Sequence, residues 1–209
     1  MRTVKSMTLI HKAQQILEHK LSHWQQQGWC KASPFYPSKE GAFCVDIQIE
    51  QRTVIYTSIS GILYPSNDEH QQKAVDAYHS SQLTKLEFIP DAVNNLIKLL
   101  EATEARLKVH SNWRYRLYDE PQCMTELFLN NGFQAHHLHP DFFVKLKGRN
   151  PTKEHDINFS LSDDAYPNIV LDSQWLNLYP EFQVYLITAE NGFSLKDVAH
   201  IWTLIENET

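Results

Sequence analysis

The chain has 209 residues, 42% of them hydrophobic, with five tryptophans, nine tyrosines and ten phenylalanines, which is apolar surface enough for a full core and excludes a disordered chain. A formal charge of −6 gives a phosphate backbone little to attract, so direct nucleic-acid binding is not expected. Only six glycines occur, which speaks against architectures that need glycine at many points, such as Rossmann, P-loop and repeat-rich β folds.

From Met7 to Gln27, apolar residues at Leu9, Ile10, Ala13, Ile16, Leu17, Leu21 and Trp24 recur at helical intervals, and Gly28 is placed to end that helix. Phe43, Val45, Ile47 and Ile49 alternate with polar neighbours as a half-buried antiparallel strand. The β-branched run Val54 to Ser60 follows after Gln51 and Arg52, so a hairpin is expected there. Ser66 and Glu69 form a capping-box pattern ahead of a helix carrying Ala74, Val75 and Tyr78. A short buried strand is expected at Leu86 to Ile89 and a helix from Asp91 to about Val109. Trp113 to Tyr118 then reads as a strand, and Asp119 as the cap of a helix that ends at Gly132.

After Pro151 the pattern turns to β-type alternation at Ile157, Phe159 and Leu161 and again at Phe182, Val184 and Leu186. Ser194 and Asp197 start a last helix with a stripe of Leu195, Val198, Ala199, Trp202 and Ile205. The expected fold is α+β, a mixed or mostly antiparallel sheet with packed amphipathic helices. The expected organisation is one domain over 1–209, with residues 152–209 a candidate subdomain.

Three cysteines, Cys30, Cys44 and Cys123, are odd in number and carry no CxxC pairing, so a reducing compartment is expected. The polar turn after Ile10 and the lack of a long apolar stretch point to the cytoplasm and away from a membrane. The oligomeric state is left open.

His136, His137, His139 and Asp141 are the densest cluster of ligand-type residues. On a strand, His137, His139 and Asp141 would share one side and could hold a divalent metal. Pro140 interrupts such a strand, and no distant histidine completes a facial triad. A basic group, Arg114, Arg116, Lys145, Lys147 and Arg149, has Glu120, Asp141 and Glu154 beside it. Between Ser160 and Glu190 the chain mixes Tyr166, Trp175 and Tyr179 with Asp163, Asp164 and Asp172. Aromatic anchors with an acidic rim suit a protein interface with a basic partner, and Asp163 and Asp164 also suit a turn.

Residues 85 to 147 read strand, helix, strand, helix, Asn-Gly-Phe, strand, and MTELFLNNGFQAHHLHPDFFVKLKG resembles the closing half of the GNAT acyltransferase fold. That resemblance implies an acyl-CoA site at a glycine-rich loop opening the central helix. The matching segment, Phe88 to Asn95, has no glycine and carries Asp91, so no catalytic or cofactor residue carries over. No cofactor is expected. The leading expectation is a non-catalytic cytosolic binding protein acting through a protein partner, of the kind that neutralises a basic partner as immunity proteins and antitoxins do. The alternatives are a diverged GNAT-like acyltransferase using acyl-CoA, or an enzyme using a divalent metal at His137, His139 and Asp141.

Overall fold

The computed structural model describes residues 3–26, 30–51, 53–117, 120–146, 152–160, 168–180, 182–188 and 192–207. The chain forms two compact units, Met1–Arg52 and Thr53–Thr209. The division falls at 52/53 and not near 150, because the strands before and after residue 150 pair in one sheet.

The first unit holds β1 (Thr3–His11), α1 (Gln14–Gln26), β2 (Cys30–Lys31), β3 (Tyr36–Pro37) and β4 (Phe43–Gln51). β1 and β4 pair antiparallel from Thr3↔Gln51 to His11↔Phe43, and β2 and β3 pair with β4. The expected helix from Met7 is therefore corrected: residues up to His11 are strand, and the helix begins at Gln14. Leu9 and Ile10 fell into step with the stripe of the helix that follows, which hid the boundary. Leu17, Val45 and Ile47 are fully buried in this unit. Asp46 accepts hydrogen bonds from Thr8 Oγ1 at 2.6 Å and Tyr36 Oη at 2.8 Å, tying three strands together at the surface.

The second unit contains β5 (Val54–Thr57), α2 (Asp68–His79), α3 (Pro90–Thr103), β6 (Arg106–Val109), α4 (Pro121–Asn130), β7 (Leu138–Phe143), α5 (Lys153–Ser160), β8 (Asn168–Asp172), β9 (Phe182–Leu186) and α6 (Leu195–Asn207). Its strands lie in the order β7-β6-β5-β8-β9, and every pairing is parallel. With an antiparallel sheet in one unit and a parallel sheet in the other, the chain is α+β. No hairpin links β4 to β5, since they belong to different sheets.

Counted within the second unit the order is 3-2-1-4-5, so the chain steps outward on one side of β5 and then reverses to β8. With right-handed crossovers, that reversal moves the connections to the other face of the sheet. The packing follows: Ile55, Leu107, Val109, Ile169 and Leu171 face the larger core under α3, α4 and α6. Val54, Tyr56, Val170 and Phe182 face a smaller core with Ile157 of α5 and Leu176. β5 and β8 are buried along their whole length, which is why they show continuous apolar runs without alternation. Few glycines did not prevent this doubly wound topology, because glycine is demanded by a phosphate-cradling turn and not by the strand order. One glycine is required on packing grounds. Gly192 has φ +63, and a Cβ there would lie 2.8 Å from the Ile62 carbonyl oxygen, close to where Phe193 N–H donates to the same oxygen at 3.0 Å.

Several other expectations change. Leu86 to Ile89 is not a strand, and the helix from Pro90 ends at Thr103, where Glu104 takes φ 55, so Leu107 and Val109 belong to β6. Residues Asn112–Tyr115 form a 3-10 turn in place of a strand, and 153–160 is a helix in place of β alternation. The cap of α2 is Asn67, not Ser66. Asp119 lies outside the described residues. Pro140 does sit within β7, which tolerates it as an edge strand with an irregular register. The Ser194–Asp197 start of α6 is present: Asp197 Oδ2 accepts from Ser194 N at 2.8 Å and from Ser194 Oγ at 2.6 Å. Tyr185 donates to Asp197 Oδ1 at 3.0 Å, and burial together with that carboxylate pushes its phenol up to about 12.

Candidate functional site at the carboxyl edge of the parallel sheet

In open parallel sheets the crevice beyond the carboxyl ends of the strands is where ligands bind, and the reversal of strand order opens it. Here the reversal lies between β5 and β8. The residues at this edge are unusually polar for their burial: Thr57 at the end of β5 and Ser58 after it, His110 and Ser111 after β6, and Asp172 at the end of β8 are all buried.

Two ion pairs meet this edge, one fully buried and one with its lysine half-buried. Arg114, fully buried on the 3-10 turn after β6, donates from Nη2 to Asp156 of α5 and from Nη1 to the His110 carbonyl. Nη2 also donates to Tyr115 Oη at 3.1 Å, and the guanidinium lies over that ring. Lys153 Nζ donates to Asp172 Oδ2 at 2.8 Å, while Asp172 Oδ1 accepts from Gln174 N at 3.0 Å. Burying a charge costs several kcal/mol unless it is paired, so each carboxylate here is matched to a cation.

His110 joins the two pairs. Its Nε2 lies 3.1 Å from the Leu171 carbonyl and its Nδ1 lies 3.7 Å from Asp172 Oδ2. Burial first, then Lys153 and Arg114, hold the imidazole well below its ordinary value, so it is neutral at pH 7. With Nε2 donating to Leu171, Nδ1 is left as an acceptor and has no hydrogen-bond partner. The charges of the cluster balance, while Arg114 Nε, like His110 Nδ1, is buried without a hydrogen-bond partner.

Beside it lies an open pocket of about 200 Å³ between α2 and the 3-10 turn. Ala74, Val75, Leu83 and Leu117 supply its apolar walls, and Tyr78 and Trp113 its aromatic ones, with Gln71, Asn112 and Arg116 as its polar lining. Ser60, just past β5, organises it: Trp113 Nε1 donates to Ser60 Oγ at 3.1 Å and Gln71 Nε2 donates to the same oxygen at 3.2 Å. Gln71 Nε2 also donates to the Pro65 carbonyl at 3.0 Å, and Tyr64 packs edge-on against Trp113. The pocket therefore sits on ends of β5 and β6 fixed by hydrogen bonds. Among the described residues, the side chains of Arg116 and Asn112 and the Tyr78 hydroxyl make no hydrogen bond or ion pair.

The residues singled out in the sequence fall elsewhere. His137, His139 and Asp141 lie around β7, but His137 Nδ1 accepts from Gln134 N at 3.1 Å and His139 Nδ1 from Asp141 N at 3.0 Å. Each imidazole thus serves its own backbone, and among the described residues no three His, Cys, Asp or Glu side chains gather as a metal site. Burial and Lys108 bring His139 down to about 4. Asp163, Asp164 and Tyr166 lie outside the described residues. Trp175 and Tyr179, 72% and 57% exposed, are in the connection from β8 to β9. Asp172 is 1% exposed and held by Lys153, so it has no surface to offer a partner. Of the basic group, Arg114 is buried on Asp156 and Arg116 is at the pocket.

His110, Lys153 and Asp156 are not among the residues that the sequence pattern singles out. A usable signal was there: a short apolar strand, Arg106 to Val109, ending in His-Ser-Asn is the polar carboxyl end of a parallel strand. No family model matches the chain, and neither a curated protein nor a solved structure matches it. Among the described residues no helix is long and apolar enough to cross a membrane.

Proposed function

We propose that this chain binds a small organic ligand in the pocket between α2 and the turn after β6. The observation that carries this reading is the pocket's construction: apolar and aromatic walls with few polar groups, at the carboxyl ends of β5 and β6. Such a combination is the usual makeup of a small-molecule site. Filling it should block binding. A ligand screen by thermal shift is expected to yield compounds that raise the melting temperature of the native chain. Val75→Trp, which extends a ring from the half-buried rim of α2 into the space, is expected to abolish those shifts while itself remaining folded. Hits that stabilise the Val75→Trp protein equally would place binding elsewhere and count against the pocket.

A second reading, binding of a protein partner, draws on one observation: Trp175 and Tyr179 present large aromatic rings to solvent. Such residues anchor interfaces when a partner covers them. A partner that co-purifies with the native chain and is lost with a Trp175→Ser, Tyr179→Ser double variant would favour it. Unchanged co-purification would remove it.

A further inference from the structure

We propose, building on the pocket reading above, that the ligand is a small organic anion: a single flat ring carrying a carboxylate, with the ring inside the pocket and the carboxylate on Arg116. The lining sets the sign of the charge. It contains one cation and no aspartate or glutamate, so an ammonium group would meet repulsion without any compensating acid. Arg116 makes no ion pair among the described residues, whereas Arg114, on the short turn that Arg116 caps, is bound to Asp156. A guanidinium donates two parallel hydrogen bonds to a planar carboxylate.

The other polar groups agree with that division. The Trp113 N–H and the Gln71 amide are committed to Ser60, so they fix the walls and leave recognition to Arg116, Asn112 and the Tyr78 hydroxyl. The size fits one ring. An apolar cavity of about 150 Å³ is enough for benzene, and the volume here, about 200 Å³, adds room for a short side chain but not for a nucleotide. Tyr78 and Trp113 supply aromatic surface for ring contacts.

The test uses a matched pair, 3-phenylpropionate and 3-phenylpropionamide, titrated into the native chain and followed by amide chemical shifts. The acid is expected to bind at least about tenfold tighter than the amide, since a hydrogen bond to a charged group outweighs a neutral one. It should shift residues 71–83 and 112–117. Arg116→Met is expected to remove the preference, so that the acid binds no tighter than the amide. Equal binding of acid and amide to the native chain would overturn the anion assignment and leave the pocket reading standing. So would a preference that survives Arg116→Met, because the carboxylate would then sit elsewhere. If neither compound shifts the pocket residues at millimolar concentration, the pocket reading falls and the anion assignment with it.

Discussion

Arg114 lies on a short 3-10 turn and Arg116 caps it two residues later, and they belong to two different kinds of site. In a 3-10 turn, positions two apart project to different sides. Arg114 goes inward to Asp156 and is fully buried. Arg116 lines an open pocket and pairs with no described residue. The inner cluster carries two cations, two carboxylates and a neutral histidine, so its charges balance. The pocket carries one cation and no acid. Burial alone therefore does not mark the binding site at this edge. The proposed site is instead set apart by an exposed cation, Arg116, that has no described partner and stands at the rim of an open pocket.

The sharpest way to break this contrast is to unpair the inner cluster. Asp156→Ala strands a buried guanidinium and is expected to cost about 3–5 kcal/mol of stability, measured by urea unfolding. Replacing both partners, Arg114→Met with Asp156→Leu, is expected to recover most of that loss, because no buried charge is then left uncompensated. A small effect of Asp156→Ala would mean that the pair is reached by solvent.

Acid probes the same cluster through His110. Its folded-state pKa lies below the unfolded one, so between the two values the unfolded chain binds more protons and stability falls as pH falls. His139, at about 4, and His137, also lowered, act in the same direction. Stability is expected to decline from about pH 6.5, the ordinary histidine value, toward pH 4, and His110→Gln to flatten part of that slope. A flat profile over this window would contradict a neutral buried His110. The smallest effect is expected at the pocket. Arg116→Met should change stability by no more than about 0.5 kcal/mol in the same urea assay. A loss several times larger would show that Arg116 has a structural partner.

The sequence was informative where one face of an element meets water. The strand β4, with Val45 and Ile47 buried, and the Ser194–Asp197 start of α6 are both legible, although Phe43 is exposed and Cys44 buried, against the simple alternation. The parallel sheet was not. β8 is buried on both faces and only five residues long, Asn168–Asp172, so it offered no alternation and its Asp172 looked like a surface acid. The end of α3 was hidden because the left-handed turn falls on Glu104 and not on a glycine. The helical spacing therefore runs on through Leu107 and Val109, and nothing in it marks His110 as the end of a strand. The site was harder still. Its parts come from α2, the turn after β6 and Ser60, and Arg114 could be told from Arg116 only once Asp156, 42 positions away in sequence, was seen to reach the first.

The most direct measurement is a backbone amide shift map of the native chain with a mixture of small aromatic acids. The expected result is a continuous set of shifted amides at 71–83 and 112–117, with residues 153–156 and 172–179 unmoved. Shifts centred on Trp175 and Tyr179, or on the His110–Asp172 cluster with the pocket silent, would contradict the assignment of the open pocket as the binding site.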